Sequence, residues 1–146
     1  MGKQFNLTTA DKHSLGAYRA DPQGKAKGGI VVVQEIFGVN HHIRAVCDRL
    51  AALGYVAVAP AVFDRFVRDF ECGYTPDEIA HARSYLGNLN WDHLVADMTD
   101  AAGDLVCRQR GMLKFAADRR GRFAKASRSQ GGYLGQAVLT HRQRPA

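Results

Sequence analysis

An α/β fold on a mostly parallel sheet is what the sequence predicts, and three observations carry the prediction. Ile30–Val33 is an uninterrupted β-branched run. It lacks the polar alternation of a half-exposed strand, so it reads as a strand buried on both faces. Ile43, Val46, Cys47, Leu50 and Ala51 then follow the i, i+3, i+4, i+7, i+8 stripe of a helix with one buried face. Tyr55–Ala59 is a second apolar run, closed by Pro60. Strand, helix and strand in ~30 residues make a βαβ unit.

The remaining elements fall in place around that unit. Phe5 and Leu7 mark a short strand, and Leu15, Ala17, Tyr18 and Arg19 a second. Asp11–His13 between them is expected to be a hairpin turn. The Pro/Gly-rich stretch 21–29 reads as a loop. Asn40 is placed to N-cap the first helix and Gly54 to end it. Residues 61–74 read as a loop of alternating charge, with Asp64, Arg65, Arg68, Asp69 and Glu71 solvated and locally paired. Thr75, Pro76 and Glu78 give the N-cap, N1 and N3 signature of a helix start. Ile79, Ala82 and Leu86 supply its apolar face. A third helix is expected from about Asn90 on. Its stripe is Trp91, Leu94, Val95, Met98, Ala102 and Leu105.

Composition bounds the function. At 146 residues with 46% apolar and 23% charged residues, the chain has the make-up of a globular protein and not of a fibre or a disordered tail. No apolar run is long enough to span a membrane, and residues 1–12 carry no apolar signal core, so a cytoplasmic protein is expected. Cys47, Cys72 and Cys107 have no CxxC spacing and read as reduced thiols, with neither a disulfide framework nor a metal site implied. His41 and His42 are adjacent and cannot share one helix face as a metal pair. No cofactor is called for. The net charge of +6 is uneven: residues 1–102 carry −2 and residues 103–146 carry +8. The expected division is therefore a recognisable portion, 1–102, and a basic tail, 103–146.

Four positions are candidates for chemistry. Glu35 follows the C-terminal end of the first buried strand, the edge at which open α/β sheets bind ligands. Beside apolar walls its charge would be disfavoured, which suits acid or base work, and a solvated loop carboxylate is the plainer alternative. Ile36 comes next, and its backbone N–H is a potential oxyanion donor at a turn into a helix. Arg83, on the second helix, could reach a substrate carboxylate or simply be solvated. Ser129 lies in Ser127-Arg128-Ser129-Gln130-Gly131-Gly132, which approaches the G-x-nucleophile-x-G elbow. The strand before it would be Arg122–Ala126, and its Arg122 and Lys125 suit a buried strand poorly. A chance small-residue turn is the alternative.

Residues 29–65, with the string Q-E-I-F-G-V-N (34–40) and the following R-x-x-x-D-R-L-A-x-x-G-Y helix, resemble the dienelactone hydrolase family of α/β-hydrolases. Residues 66–102, including Phe70–Tyr74 and the tryptophan helix, are similar too. The resemblance covers the N-terminal half of that family's domain and implies a partial α/β-hydrolase fold. It implies a small lactone or enol ester as substrate, hydrolysed by nucleophilic acyl transfer through a Cys-His-Asp triad without metal. Glu35 matches the family glutamate that hydrogen-bonds the resting nucleophile. Ile36 matches the residue whose N–H forms half the oxyanion hole, and Arg83 is a looser match to a substrate-carboxylate arginine.

The family elbow, G-x-C-x-G-G, has its counterpart here at Ser127–Gly132, with Ser129 in the nucleophile position. None of the three cysteines sits in such a motif, and His141 follows Ser129 too closely to complete a triad. Three readings result. In the first, the reading frame is lost near residue 103, leaving a truncated and inactive family member. In the second, Ser129 serves a shortened hydrolase. In the third, a small βαβ module uses its basic tail to bind nucleic acid or an acidic partner, although that tail has few aromatics and no reader motif. Oligomeric state is not legible. An unpaired sheet edge is expected.

Overall fold

A computed structural model describes residues 2–108, with side chains to residue 105. The candidate elbow 127–132 with Ser129, the strand Arg122–Ala126, His141 and the basic segment 109–146 lie outside the described residues. The Cys107 side chain does too.

The chain forms β1 (Lys3–Thr8), β2 (Ser14–Ala20), β3 (Gly28–Val31), α1 (His41–Ala52), β4 (Tyr55–Pro60), α2 (Pro76–Ser84) and α3 (Trp91–Arg108). Short 3₁₀ turns lie at Val62–Arg65 and Tyr85–Asn88. The strand order is β1-β2-β4-β3. The α/β class is as expected, but the described sheet is mixed: β3 and β4 run parallel, while β1–β2 and β2–β4 are antiparallel. The hairpin accounts for this. It joins Thr8 to Ser14 in register, and Lys12 turns the corner at φ 67°.

The sheet is covered on both faces. α1 sets Ile43, Cys47 and Ala51 against Tyr18, Ala20, Ala57 and Ala59. α3 sets Ala101 and Leu105 against Leu7, Ala17, Val56 and Val58. The alternation of Ala57 and Ala59 with Val56 and Val58 shows β4 buried on both sides, as a central strand should be. β3 is different. Among the described strands it lies at the edge, its residues beyond Gly28 are only half-buried, and Val33 past its end is 50% exposed. The run Ile30–Val33 is apolar enough for a central strand, but a described neighbour lies on one side only.

Local signals formed the predicted ends. The Asn40 side chain accepts from the His42 and Ile43 amides at 3.1 and 3.2 Å, and Gly54 leaves α1 at φ 97°. Thr75 and Glu78 form a reciprocal capping box on α2. Two expectations change. The loop after β4 is not wholly solvated: Asp64 is buried, and Arg65 makes a bidentate pair with the fully buried Asp97 at 2.8 and 2.5 Å. Asp64 is held by the Gly16 and Asp69 amides, which give a buried carboxylate the bonds it requires. On α3 the buried line is Asp97, Met98, Ala101 and Leu105, whereas Trp91 is 70% exposed and Val95 is exposed. Val95 sits about 100° round the helix from Leu94, outside that line. α3 also runs through position 103, where the charge balance changes.

Candidate active site

The turn after β3 is built from short-range necessities. Gly38 N–H donates to the Glu35 carbonyl at 3.3 Å, closing a turn over Ile36 and Phe37. Gly38 adopts φ +77°, which favours glycine. A Cβ there would overlap the Phe70 carbonyl oxygen and stand 3.0 Å from its carbon. That close approach lets the segment Phe70–Tyr74 lie on the turn. Gly38 bridges Glu71, and the Cys72 amide donates to the Phe37 carbonyl at 3.3 Å.

Three further residues fasten this segment. Asn40 Nδ2 donates to the Cys72 carbonyl at 3.4 Å and to the Tyr74 hydroxyl at 3.2 Å. The Phe37 and Tyr74 rings meet edge to face at 4.6 Å between centroids. Arg44 donates to the Val39 carbonyl at 2.8 Å and pairs with Glu71. Asn40 thus caps α1 and ties down the strap with one side chain. From the other side, the buried Gln34 donates to the Glu35 carbonyl at 3.3 Å and accepts from the Val62 amide at 3.0 Å.

Glu35 lies past the C-terminal end of β3, as expected, but its side chain is exposed and not walled by apolar groups. Among the described residues no hydrogen bond or ion pair holds it. Ile36 is half-buried, and its N–H donates to no described carbonyl. These two residues are adjacent on one turn. Arg83 is exposed in the last turn of α2 and makes no ion pair with a described residue, Glu35 included. Ser129 lies outside the described residues.

Neither described cysteine is an activated thiol. Burial, with Asp48 adding to it, pushes the Cys47 thiol up to about 11, and Cys47 is fully enclosed. Burial also pushes the Cys72 thiol up, with Glu78 contributing. No disulfide joins them. Among the described residues no group of three or more His, Cys, Asp or Glu side chains is placed to hold a metal, and no helix is long and apolar enough to cross a membrane. Sequence reasoning singled out neither Gln34, Gly38 nor the Asn40–Tyr74 tie. Their signal was the string 34–40 itself, whose Gln and Gly have no helix or strand role to fill.

Comparison with known proteins gives a consistent result. A model of the dienelactone hydrolase family matches residues 15–114. A Synechocystis sp. protein assigned as a carboxymethylenebutenolidase is 41% identical over 85 residues, covering 58% of this chain and 35% of the relative. One from Methylorubrum extorquens, assigned likewise, is 58% identical over 55 residues, covering 35% of this chain and 18% of the relative. The crystal structure of an assigned dienelactone hydrolase from Klebsiella pneumoniae superposes with a TM-score of 0.59 at 30% identity. It covers 77% of this chain and 45% of that one. The matches thus span less than half the length of these relatives.

Proposed function

Because this chain belongs to the dienelactone hydrolase family, we propose that its site is one half of an ester or lactone hydrolase working by nucleophilic acyl transfer. The observation that carries this reading is the Ile36 N–H, without a described acceptor on a turn at the end of a sheet strand. When a nucleophile adds to an ester carbonyl, the carbonyl oxygen takes up negative charge. A fixed backbone donor aimed at that oxygen lowers the barrier. The negative charge then returns to expel the alkoxide or enolate, and water releases the acyl group.

In this scheme Ile36 is the oxyanion donor, and Glu35 stands beside the nucleophile position to hold and activate its proton. Arg83 offers a cation to a carboxylate-bearing substrate. In sequence, Ser129 aligns with the nucleophile of the family elbow motif. With no activated nucleophile among the described residues, these 146 residues are expected not to turn over an ester. Their raised thiols are poor nucleophiles, and no serine hydroxyl bonds a histidine ring among the described residues. Free thiols at Cys47 and Cys72 fit a reducing, cytoplasmic setting.

The test is hydrolysis of a chromogenic enol ester by the wild-type chain, Ser129→Ala and Glu35→Gln. All three are expected to match the buffer rate. Enzyme-dependent turnover abolished by Ser129→Ala would overturn the inactivity and make the chain a shortened serine hydrolase.

A further inference from the structure

Among the described residues the Glu35–Ile36 peptide is held on one edge only. A peptide unit is planar, with its C=O and N–H on opposite edges. The Glu35 carbonyl accepts from Gly38 N–H and from Gln34 Nε2, both at 3.3 Å. The other end of the Gln34 amide is anchored by Val62 N–H, at the start of the 3₁₀ turn that follows β4. Gln34 is only 8% exposed, so an amide with both ends used is braced between two backbone segments. Rotating the peptide to turn its carbonyl outward would break both bonds to that oxygen and strand a buried Nε2 donor. With the carbonyl held inward, the Ile36 N–H on the opposite edge faces away from these donors.

We infer that Gln34 is the positioning residue of the site, locking the Glu35–Ile36 peptide in the orientation that leaves the Ile36 N–H free for an oxyanion. The inference rests on the reading of Ile36 as that donor. It differs from the N-cap and strap contacts in that it acts on the one peptide whose N–H does the work. Gly38 alone leaves the carbonyl with a single bond from within its own turn, and Gln34 adds a second whose side chain is anchored on a distant part of the chain, the Val62 amide.

The test is amide NMR on the full ¹⁵N-labelled chain. Gln34→Glu keeps the length and still accepts from Val62 N–H. Ionised, it has no proton to donate to the Glu35 carbonyl; protonated, it has one. Above the titration of the introduced carboxyl, the Ile36 and Phe37 resonances are expected to move, and the Gly38 amide to exchange about 5-fold faster, the loss of one hydrogen bond. Both changes reverse on protonation, while amides of α2 stay at their wild-type rates. Gln34→Met, with neither donor nor acceptor, shows the same changes at every pH. Two results would overturn the inference: Ile36, Phe37 and Gly38 unchanged in both variants, or exchange accelerated equally across all elements, as a merely structural residue would give. Ester turnover plays no part in this readout, so failure of the hydrolase reading and failure of the Gln34 lock are told apart.

Discussion

Gly38→Ala tests whether the strap and the turn really touch. Two costs arise at this position. The positive φ of +77° costs a Cβ-bearing residue ~1–2 kcal/mol. The Cβ also enters the Phe70 carbonyl, which belongs to a backbone and not to a flexible side-chain end. Overpacking of that kind costs ~1–3 kcal/mol. Gly24 separates the two contributions, since it has φ +85° with no described atom within 4 Å of where a Cβ would lie. Gly24→Ala therefore carries the backbone strain alone. Alanine also restricts the unfolded chain by ~0.4–1 kcal/mol relative to glycine, a gain common to both variants that cancels in the difference. Urea unfolding followed by far-UV circular dichroism should place Gly38→Ala ~1–3 kcal/mol below Gly24→Ala. Gly103→Ala, in α3 with no described atom within 4 Å of where its Cβ would lie, should gain ~0.5–1 kcal/mol. If Gly38→Ala were no less stable than Gly24→Ala, the close approach of Phe70 to the turn would be refuted.

Other outcomes follow from the same contacts. Asp97→Asn removes one of the two carboxylates that face Arg65, Asp11 being the other, and should cost ~1–3 kcal/mol in the same unfolding assay. Replacing both by apolar residues of similar size should cost less than Asp97→Asn alone. Acid should destabilise the chain through two low carboxyls: Arg65, with Thr9 helping, holds Asp11 down, and the Thr75 hydroxyl and the Thr75 and Gly73 amides hold Glu78 down. A lowered carboxyl stabilises fully above its unfolded value near 4 and loses that contribution as pH falls through its folded value. Glu78→Gln should accordingly flatten the stability–pH curve below about pH 5. Cys47, enclosed and with its thiol at about 11, should resist a thiol reagent at pH 7 until the chain unfolds. Rapid reaction of native Cys47 would contradict its burial.

What the sequence made legible was local. The Asn40 cap, the Gly54 stop and the Thr75–Glu78 box each depend on residues within one turn of each other, and each formed. Glu35 and Ile36 were legible as a pair because their place after a strand is itself a local fact. The rest depended on distant partners. Asp64 and Arg65 read as solvated because nothing near them in sequence reveals Gly16, Asp11 or Asp97. Val33 and Trp91 read as buried because apolarity shows what a residue can bury against, not whether a neighbour is there. Gln34 is polar and buried, and its two backbone partners became visible only when Val62 was brought beside Glu35.

If residues 2–108 form the glutamate and oxyanion half of an ester hydrolase, supplying a C-terminal half should give turnover. A chimera joins residues 1–108 to the C-terminal half of the Klebsiella relative, and its folding is confirmed by circular dichroism. It is predicted to hydrolyse a chromogenic enol ester. Glu35→Gln in that chimera should slow the reaction about 100-fold or more, the scale of a lost proton-transfer group. A folded chimera without turnover, or one indifferent to Glu35→Gln, would contradict the claim.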